Sequence, residues 1–351
     1  MSDENQLIQR IARVASPRVG PGEKSYGLEL GIGDDAAILA RETDKQWVVS
    51  CDAFIEGVHF LPVVHPADSV GYKALVRAAS DLVAMGAQPR LFFLTLALPK
   101  GRTGAWLDGF LRGMRRAARY LDMRLAGGDT TTGAIVSISV TVLGQIGGAK
   151  TRRRRFQGSG RSRRGGQALT RSEARPGDRI YVSGRLGSAQ LGLEFVRRGF
   201  VKQRRFAGLL QPHLYPRLRL KLGRWLANKR VASAMMDLSD GLSSDLPRLC
   251  RASGVGARLW ADRIPATSVP PALLKFLPSR AVDPLRMALH GGDDYELLFT
   301  VPARNERRLR TAPEFPALTL IGKITRDRLI VLVDRDGKNQ ALRAAGWDPF
   351  R

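Results

Sequence analysis

Aspartates set beside glycine or other small residues recur along this chain. They occur in Gly31-Ile32-Gly33-Asp34-Asp35, Ser50-Cys51-Asp52, Ala79-Ser80-Asp81-Leu82, Gly127-Gly128-Asp129-Thr130, Asp237-Leu238-Ser239-Asp240-Gly241 and Gly291-Gly292-Asp293-Asp294-Tyr295-Glu296. Glycine permits positive φ and close backbone approach, so each pair is expected in a tight turn, ending a strand with its carboxylate in a cleft. Hard divalent cations such as Mg2+ take oxygen ligands, commonly a few carboxylates completed by phosphate oxygens and water. Acids gathered from distant segments repel one another unless cations bind among them, so the pattern predicts a multi-metal site for a nucleotide phosphate. Any single pair also has an ordinary reading as an Asx-turn or a helix cap. Asp68, after Pro66-Ala67, is read as the cap of its own helix. Asp34-Asp35 stands out because two adjacent acids in a glycine turn are costly without compensation. Asp81 falls inside a helical pattern on its small-residue side, where an internal hydrogen bond is the alternative to a ligand role.

Other chemistries lack their residues. The chain has no Gly-x-x-x-x-Gly-Lys-Ser/Thr loop, no His-Arg-Asp catalytic loop and no Gly-x-Ser-x-Gly elbow. The four histidines (His59, His65, His213, His290) and two cysteines are too scattered to suggest a zinc site. Gly184-Arg185-Leu186-Gly187 follows a strand pattern and offers a phosphate cradle, though a plain strand-to-helix turn explains it equally.

The elements that must carry these acids alternate. Strands are expected at Gln46 to Ser50, Leu91 to Leu98, Ile135 to Ile146, Arg179 to Ser183, Leu297 to Val301 and Leu329 to Val333. Helices are expected at Asp68 to Met85, at Trp106 to Leu121 and through Leu193 to Val196. Such alternation implies α/β or α+β layers rather than a repeat array. The 351 residues suffice for two domains, and the 44% hydrophobic and 25% charged fractions are those of a globular protein. No apolar run reaches the roughly 18 residues of a membrane helix, the first residues lack a signal-peptide layout, and two cysteines make no disulfide framework. A cytoplasmic protein is expected.

The net charge of +25 suggests nucleic acid until it is divided. Residues 1–150 hold 17 basic and 15 acidic side chains, +2, whereas residues 151–351 hold 40 and 17, +23. Thr151 to Gly166 contains seven arginines and no acid. Glycine and serine separate them and Phe156 is the single aromatic, so the stretch reads as a solvated insertion without the stacking platform of a single-strand binder. No specific nucleic-acid partner is expected.

Taken in order, these segments resemble the thiamine-monophosphate kinases. That family belongs to the superfamily of aminoimidazole-ribonucleotide synthetase, selenophosphate synthetase and a hydrogenase maturation factor. The resemblance is carried by Gly31 to Leu39, Asp52 through Gly57-Val58-His59-Phe60, Ser80 to Ala87, Gly127 to Thr130, Ala168-Leu169-Thr170-Arg171-Ser172, Pro176-Gly177-Asp178, Asp237 to Leu242 and Gly291 to Leu297. It spans nearly the whole chain.

The resemblance implies a two-domain α/β (α+β) fold of the aminoimidazole-ribonucleotide-synthetase type. Residues 1–150 would bind ATP and Mg2+ and dimerise through their sheet, 151–167 would be an inserted loop, and 168–351 a C-terminal α/β domain. It implies ATP-dependent phosphorylation of thiamine phosphate to thiamine diphosphate by a homodimer. The acceptor is itself an anionic phosphate, so no general base is expected and catalysis reduces to alignment and charge neutralisation. Carried onto matching positions, the Mg2+ ligands would be Asp35, Ser50, Cys51 through its carbonyl, Asp52, Asp81, Asp129, Asp237 and Asp240. Gly128, Asp129, Arg171 and Ser239 would contact ATP. His59, Asp293 and Trp347 would meet thiamine phosphate. Cys51 stands where the family usually has Thr, and Asp293 where it usually has Glu. The alternatives are another ATP-using synthetase of the superfamily and, further off, a basic polyanion-binding protein.

Overall fold

The computed structural model describes residues 28–30, 34–39, 45–147, 168–277, 283–310, 315 and 317–350. The arginine-rich stretch 151–166 and Gly31 to Gly33 lie outside them.

The first half builds β1 (Leu28–Leu30), β2 (Ala37–Leu39), β3 (Lys45–Ile55), α1 (Ala67–Ala84), β4 (Gln88–Leu98), α2 (Ala105–Leu121), β5 (Arg124–Thr132) and β6 (Ser137–Gly147). The strands form one sheet in the order β1-β2-β3-β6-β4-β5, antiparallel throughout except for the parallel pair β4–β5. Side chains of β6 alternate strictly between buried and half-buried, the period of a strand with one covered face. Val48, Phe54, Leu96, Ile138, Val140 and Val142 are buried there, in one core with α1. On the opposite face Cys51, Phe93 and Leu125 are exposed, and every residue of β5 is exposed.

The second half builds β7 (Arg179–Ser183), α3 (Ser188–Arg197), α4 (Ala207–Leu214), α5 (Leu220–Asn228), β8 (Ala234–Leu238), α6 (Leu242–Ser253) and β9 (Gly256–Trp260). It continues through α7 (Pro284–His290), β10 (Glu296–Val301), α8 (Glu306–Arg310), β11 (Leu318–Thr325), β12 (Ile330–Val333) and β13 (Asn339–Ala341). Seven strands pair in the order β13-β12-β9-β11-β7-β10-β8. All six residues of β10 are buried, because this part of the sheet is covered on both sides. Leu297, Phe299 and Val301 share the core of α1, while Leu298 enters a second core with Leu242, Leu246 and Leu249 of α6.

Helix α1 is the central element. Fourteen of its residues are buried, and it stops where Gly86 takes φ +76 and donates to the Val83 carbonyl. It meets α2 with backbone against backbone: a Cβ on Gly71 would lie 1.9 Å from the Phe110 carbonyl oxygen, and one on Gly113 would lie 1.7 Å from that of Asp68.

Three local expectations are corrected. Asp52 lies within β3, opposite Val140, not after its end. Gly127 to Thr130 lies inside β5, paired with β4, not in a tight turn. There, absence of a side chain serves packing: a Cβ on Gly128 would strike the Leu94 carbonyl. Asp68 is not a cap: Pro66 occupies that position without a side-chain bond, and Asp68 in the first turn accepts a hydrogen bond from Tyr215 at 2.8 Å.

Candidate active site

Three acids converge from three elements. Asp35 precedes β2, Asp81 sits in the last turn of α1 and Asp237 near the end of β8, and one oxygen of each lies within 4.8 Å of the others. Partners hold each in place. Arg171 grips Asp35 with Nε at 3.0 Å and Nη2 at 2.5 Å. Ser50 Oγ donates to Asp81 at 2.5 Å, and Ser80 Oγ to Asp237 at 2.7 Å. The internal hydrogen bond foreseen for Asp81 thus coexists with its place in the cluster. Burial, then the charges of Asp237 and Asp35, pushes the Asp81 carboxyl well above the usual carboxylate range. Burial and Asp35 push Asp237 up to about 7. Asp34 is raised to about 6 by burial and its neighbour Asp35, although Arg171 N donates to it at 3.0 Å. Carboxylates crowded until they resist ionisation are a donor set suited to a hard cation.

The other acids stand around this centre. On β3, strand alternation turns Ser50 and Asp52 toward the covered side, whereas Cys51 points to the open face, its sulfur 3.4 Å from Ser139 Oγ. A Cys51 side chain is therefore not offered to the cluster. Asp52 is held by Arg77 at 2.5 Å, and Asp240 by Arg248 at 2.5 Å. Asp129 is exposed on β5 and accepts from the Thr130 amide; neither it nor Gly128 is brought into the three-acid cluster.

Beside the cluster lies a cleft of about 410 Å3. His59, Ser239, Asp240, Asp293 and Trp347 all line it. His59 enters on the loop after β3, where the Ile55 amide donates to its Nδ1 at 3.0 Å. Burial and the nearby Arg77 lower its pKa to about 4, so the neutral ring carries its proton on Nε2. Trp347 is positioned by the C-terminal segment: its amide donates to the Asp240 carbonyl at 2.9 Å, and the Gly346 amide donates to Ser244 Oγ at 3.1 Å. The indole centroid stands 6.5 Å from that of His59. Asp293, in the left-handed region at φ +68, has both oxygens engaged, by Lys73 Nζ at 2.7 Å and Tyr295 OH at 2.7 Å. Burial alone would raise its pKa, but Lys73 and His213 hold it well below the usual range.

The loops that present these groups are closed by two carboxylates. Asp245 in α6 accepts the amides of Ser239, Asp240 and Gly241, each at 3.1 Å. Asp294 accepts the amides of Gly187 and Ala189 at 2.6 and 3.1 Å, at the start of α3. The Gly184–Gly187 turn therefore spends its Gly187 amide on the protein's own acid.

The scattered histidines meet in space: all four line the cleft. Lys73 has donors only, so His213 Nδ1, 3.3 Å away, accepts from it. His213 Nε2 lies 3.1 Å from His65 Nε2, and the Leu61 amide donates to His65 Nδ1 at 3.1 Å. Nothing in the sequence marks His213 for this place, whereas Tyr295 stands within the Gly291 to Leu297 segment already singled out. Lys73 and Arg77 do carry a signal, since they precede Asp81 at four-residue steps within an apolar helical run.

Comparison with known proteins defines the class first. Residues 33–146 match the N-terminal domain of AIR synthase related proteins, and residues 175–335 match their C-terminal domain. Within that class the chain belongs to the thiamine-monophosphate kinase family. It is 39% identical to the thiamine-monophosphate kinase of Escherichia coli K12 and 38% identical to that of Salmonella typhimurium, each match covering 99% of this chain and 98% of the relative. Among solved structures it resembles AaThiL complexed with AMPPCP and TMP, with TM-score 0.79 and 28% identity over 99% of this chain and 96% of that one. It likewise resembles the Stenotrophomonas maltophilia kinase, with TM-score 0.69 and 36% identity over 95% and 96%. A HypE–HypF complex, 16% identical with TM-score 0.68, shares the fold.

Proposed function

We propose that this chain transfers the γ-phosphoryl group of ATP to thiamine phosphate, giving thiamine diphosphate and ADP. The observation that carries this reading is a cluster of buried carboxylates beside a cleft lined by His59, Asp293 and Trp347. Its relatives bear the same activity in their name, and AaThiL holds AMPPCP and TMP.

Asp35, Asp81 and Asp237 would hold Mg2+, with Ser50, Asp52, Asp129, Asp240 and the Cys51 carbonyl as further ligands. Bound there, the ion would neutralise charge building on the phosphates. The chain's residues align the reactants. An oxygen of thiamine phosphate attacks the γ-phosphorus as the bond to the β–γ bridging oxygen breaks, and ADP leaves with that electron pair. The attacking oxygen is already anionic, so no residue need remove a proton. Neutral His59 offers an Nε2 hydrogen as a donor, and Trp347 offers a flat apolar face for a ring. Gly128, Asp129, Arg171 and Ser239 are assigned to the ATP side.

A homodimer through the open face of the first sheet accounts for the exposed Phe93 and Leu125 and for a strand β5 with no buried residue. No helix of the described residues is long and apolar enough to cross a membrane; cytoplasmic residence follows from the substrates proposed. The test is thiamine diphosphate formation by purified protein with ATP, Mg2+ and thiamine phosphate. Product should form, and Asp52→Asn or Asp129→Asn should lower turnover by orders of magnitude. A folded wild type that yields no product sinks the proposal, and undiminished turnover in a variant removes that residue from the site.

A further inference from the structure

Helix α1 presents Lys73, Arg77 and Asp81 at four-residue spacing, steps of about 6 Å along one face. The ends of this row are occupied. Lys73 Nζ lies on Asp293 in the cleft, and Asp81 lies in the carboxylate cluster. Arg77 stands midway. Its Nε donates to Asp52 at 2.5 Å, its guanidinium carbon is 5.9 Å from the Phe54 ring centroid, and it lines the cleft with His59 and Asp293.

The manner of that pairing differs from two other half-buried arginine–carboxylate pairs. Arg171 holds Asp35 with two nitrogens, and Arg219 does the same to Glu296. Arg77 touches Asp52 through Nε alone, and its Nη1 and Nη2 have no hydrogen-bond partner among the described residues. An arginine serving only as a counter-ion would present the two-pronged edge to its acid. Here the outer edge, whose N–H groups match two oxygens of one phosphate, is left for the cleft.

Resting on the function proposed above, we infer that Arg77 is a further substrate-binding residue. Its Nη edge clamps the phosphate of thiamine phosphate between the cleft and the carboxylate cluster, while Nε keeps it anchored to Asp52. The clamp holds the acceptor phosphate against the repulsion of the incoming γ-phosphate and fixes its direction of attack.

The experiment compares two probes, thiamine phosphate and thiamine, by calorimetric titration of the full chain with AMPPCP and Mg2+ present. For Arg77→Gln, affinity for thiamine phosphate should fall at least about tenfold, the cost of one charged hydrogen bond, while affinity for thiamine is unchanged. KM for thiamine phosphate should rise by a similar factor with KM for ATP unchanged. Arg77→Lys keeps the ion pair with Asp52 and guards against misfolding. It has no second edge, so it should still lose most of the difference between the two probes. Equal loss of both probes, or loss of neither, would reduce Arg77 to a counter-ion of Asp52. A wild type that binds no thiamine phosphate overturns the functional reading itself, a different outcome from a wild type that binds and a variant that binds equally well.

Discussion

At the scale of single residues, the cleft is built from groups that burial has made uncomfortable and neighbours have made tolerable. His65 is an instance. Burial, then the charge of Lys73, lowers its pKa to about 4 from the 6.5 of a free imidazole, and its Nε2 lies 3.1 Å from His213 Nε2. The folded protein therefore resists a proton that the unfolded chain takes up between about pH 6.5 and 4. Since the unfolded state binds more protons in that window, the contribution of His65 to stability is complete above pH 6.5 and is lost as the pH falls toward 4. Denaturant midpoints of wild type and His65→Gln at several pH values should show it. The wild type should lose up to a few kcal/mol relative to the variant across this window, and a pH-independent difference would mean that His65 is not held neutral. The acids were legible through the recurrence of their segments rather than singly, since one such pair is ordinarily a turn or a cap, and three of them, Asp35, Asp81 and Asp237, converge. Lys73 and Arg77 were legible only in their spacing from Asp81. His213 was not legible at all, because its meeting with His65 depends on α4 docking against the first half.

At the scale of elements, α1 carries the chemistry and α2 sets its position. The two helices approach until Gly71 meets the Phe110 carbonyl and Gly113 meets that of Asp68. Alanine at either glycine must push the helices apart. Gly113→Ala is expected to destabilise the fold by about 1–3 kcal/mol, read as a lower melting temperature, and to reduce turnover by displacing the row that begins at Lys73. Unchanged stability would mean that the helices separate freely. The sequence pattern marked six of the strands and three of the helices, and Arg179–Ser183 coincides with β7, whereas β8, β9 and the helices α4 to α8 were not marked. Extents were less plain. β3 runs on through Asp52 to Ile55 because β6 pairs with it along its whole length, a partnership no local pattern announces. Strand β5 was hidden for the opposite reason: its glycines and aspartate look like a turn, and parallel pairing with β4 makes them a strand.

At the scale of the whole molecule, the charge that first suggests nucleic acid separates from the site. The first half is near neutral at +2, and the arginine-rich stretch falls between the two matched domains. Deleting 152–166 should leave thiamine diphosphate formation near that of the full chain. A loss of most turnover would give the stretch a part in the reaction. The two halves suggested by the sequence are also less separate than their two sheets imply. Leu75 and Val83 of α1 share one core with Leu222 of α5 and with Leu297 and Phe299 of β10. A molecule joined through such a seam has no hinge along it. Opening the cleft by swinging one half from the other would expose that core to water, so any adjustment to a ligand falls to the cleft's own rim, where the loop of His59 and the C-terminal segment of Trp347 stand.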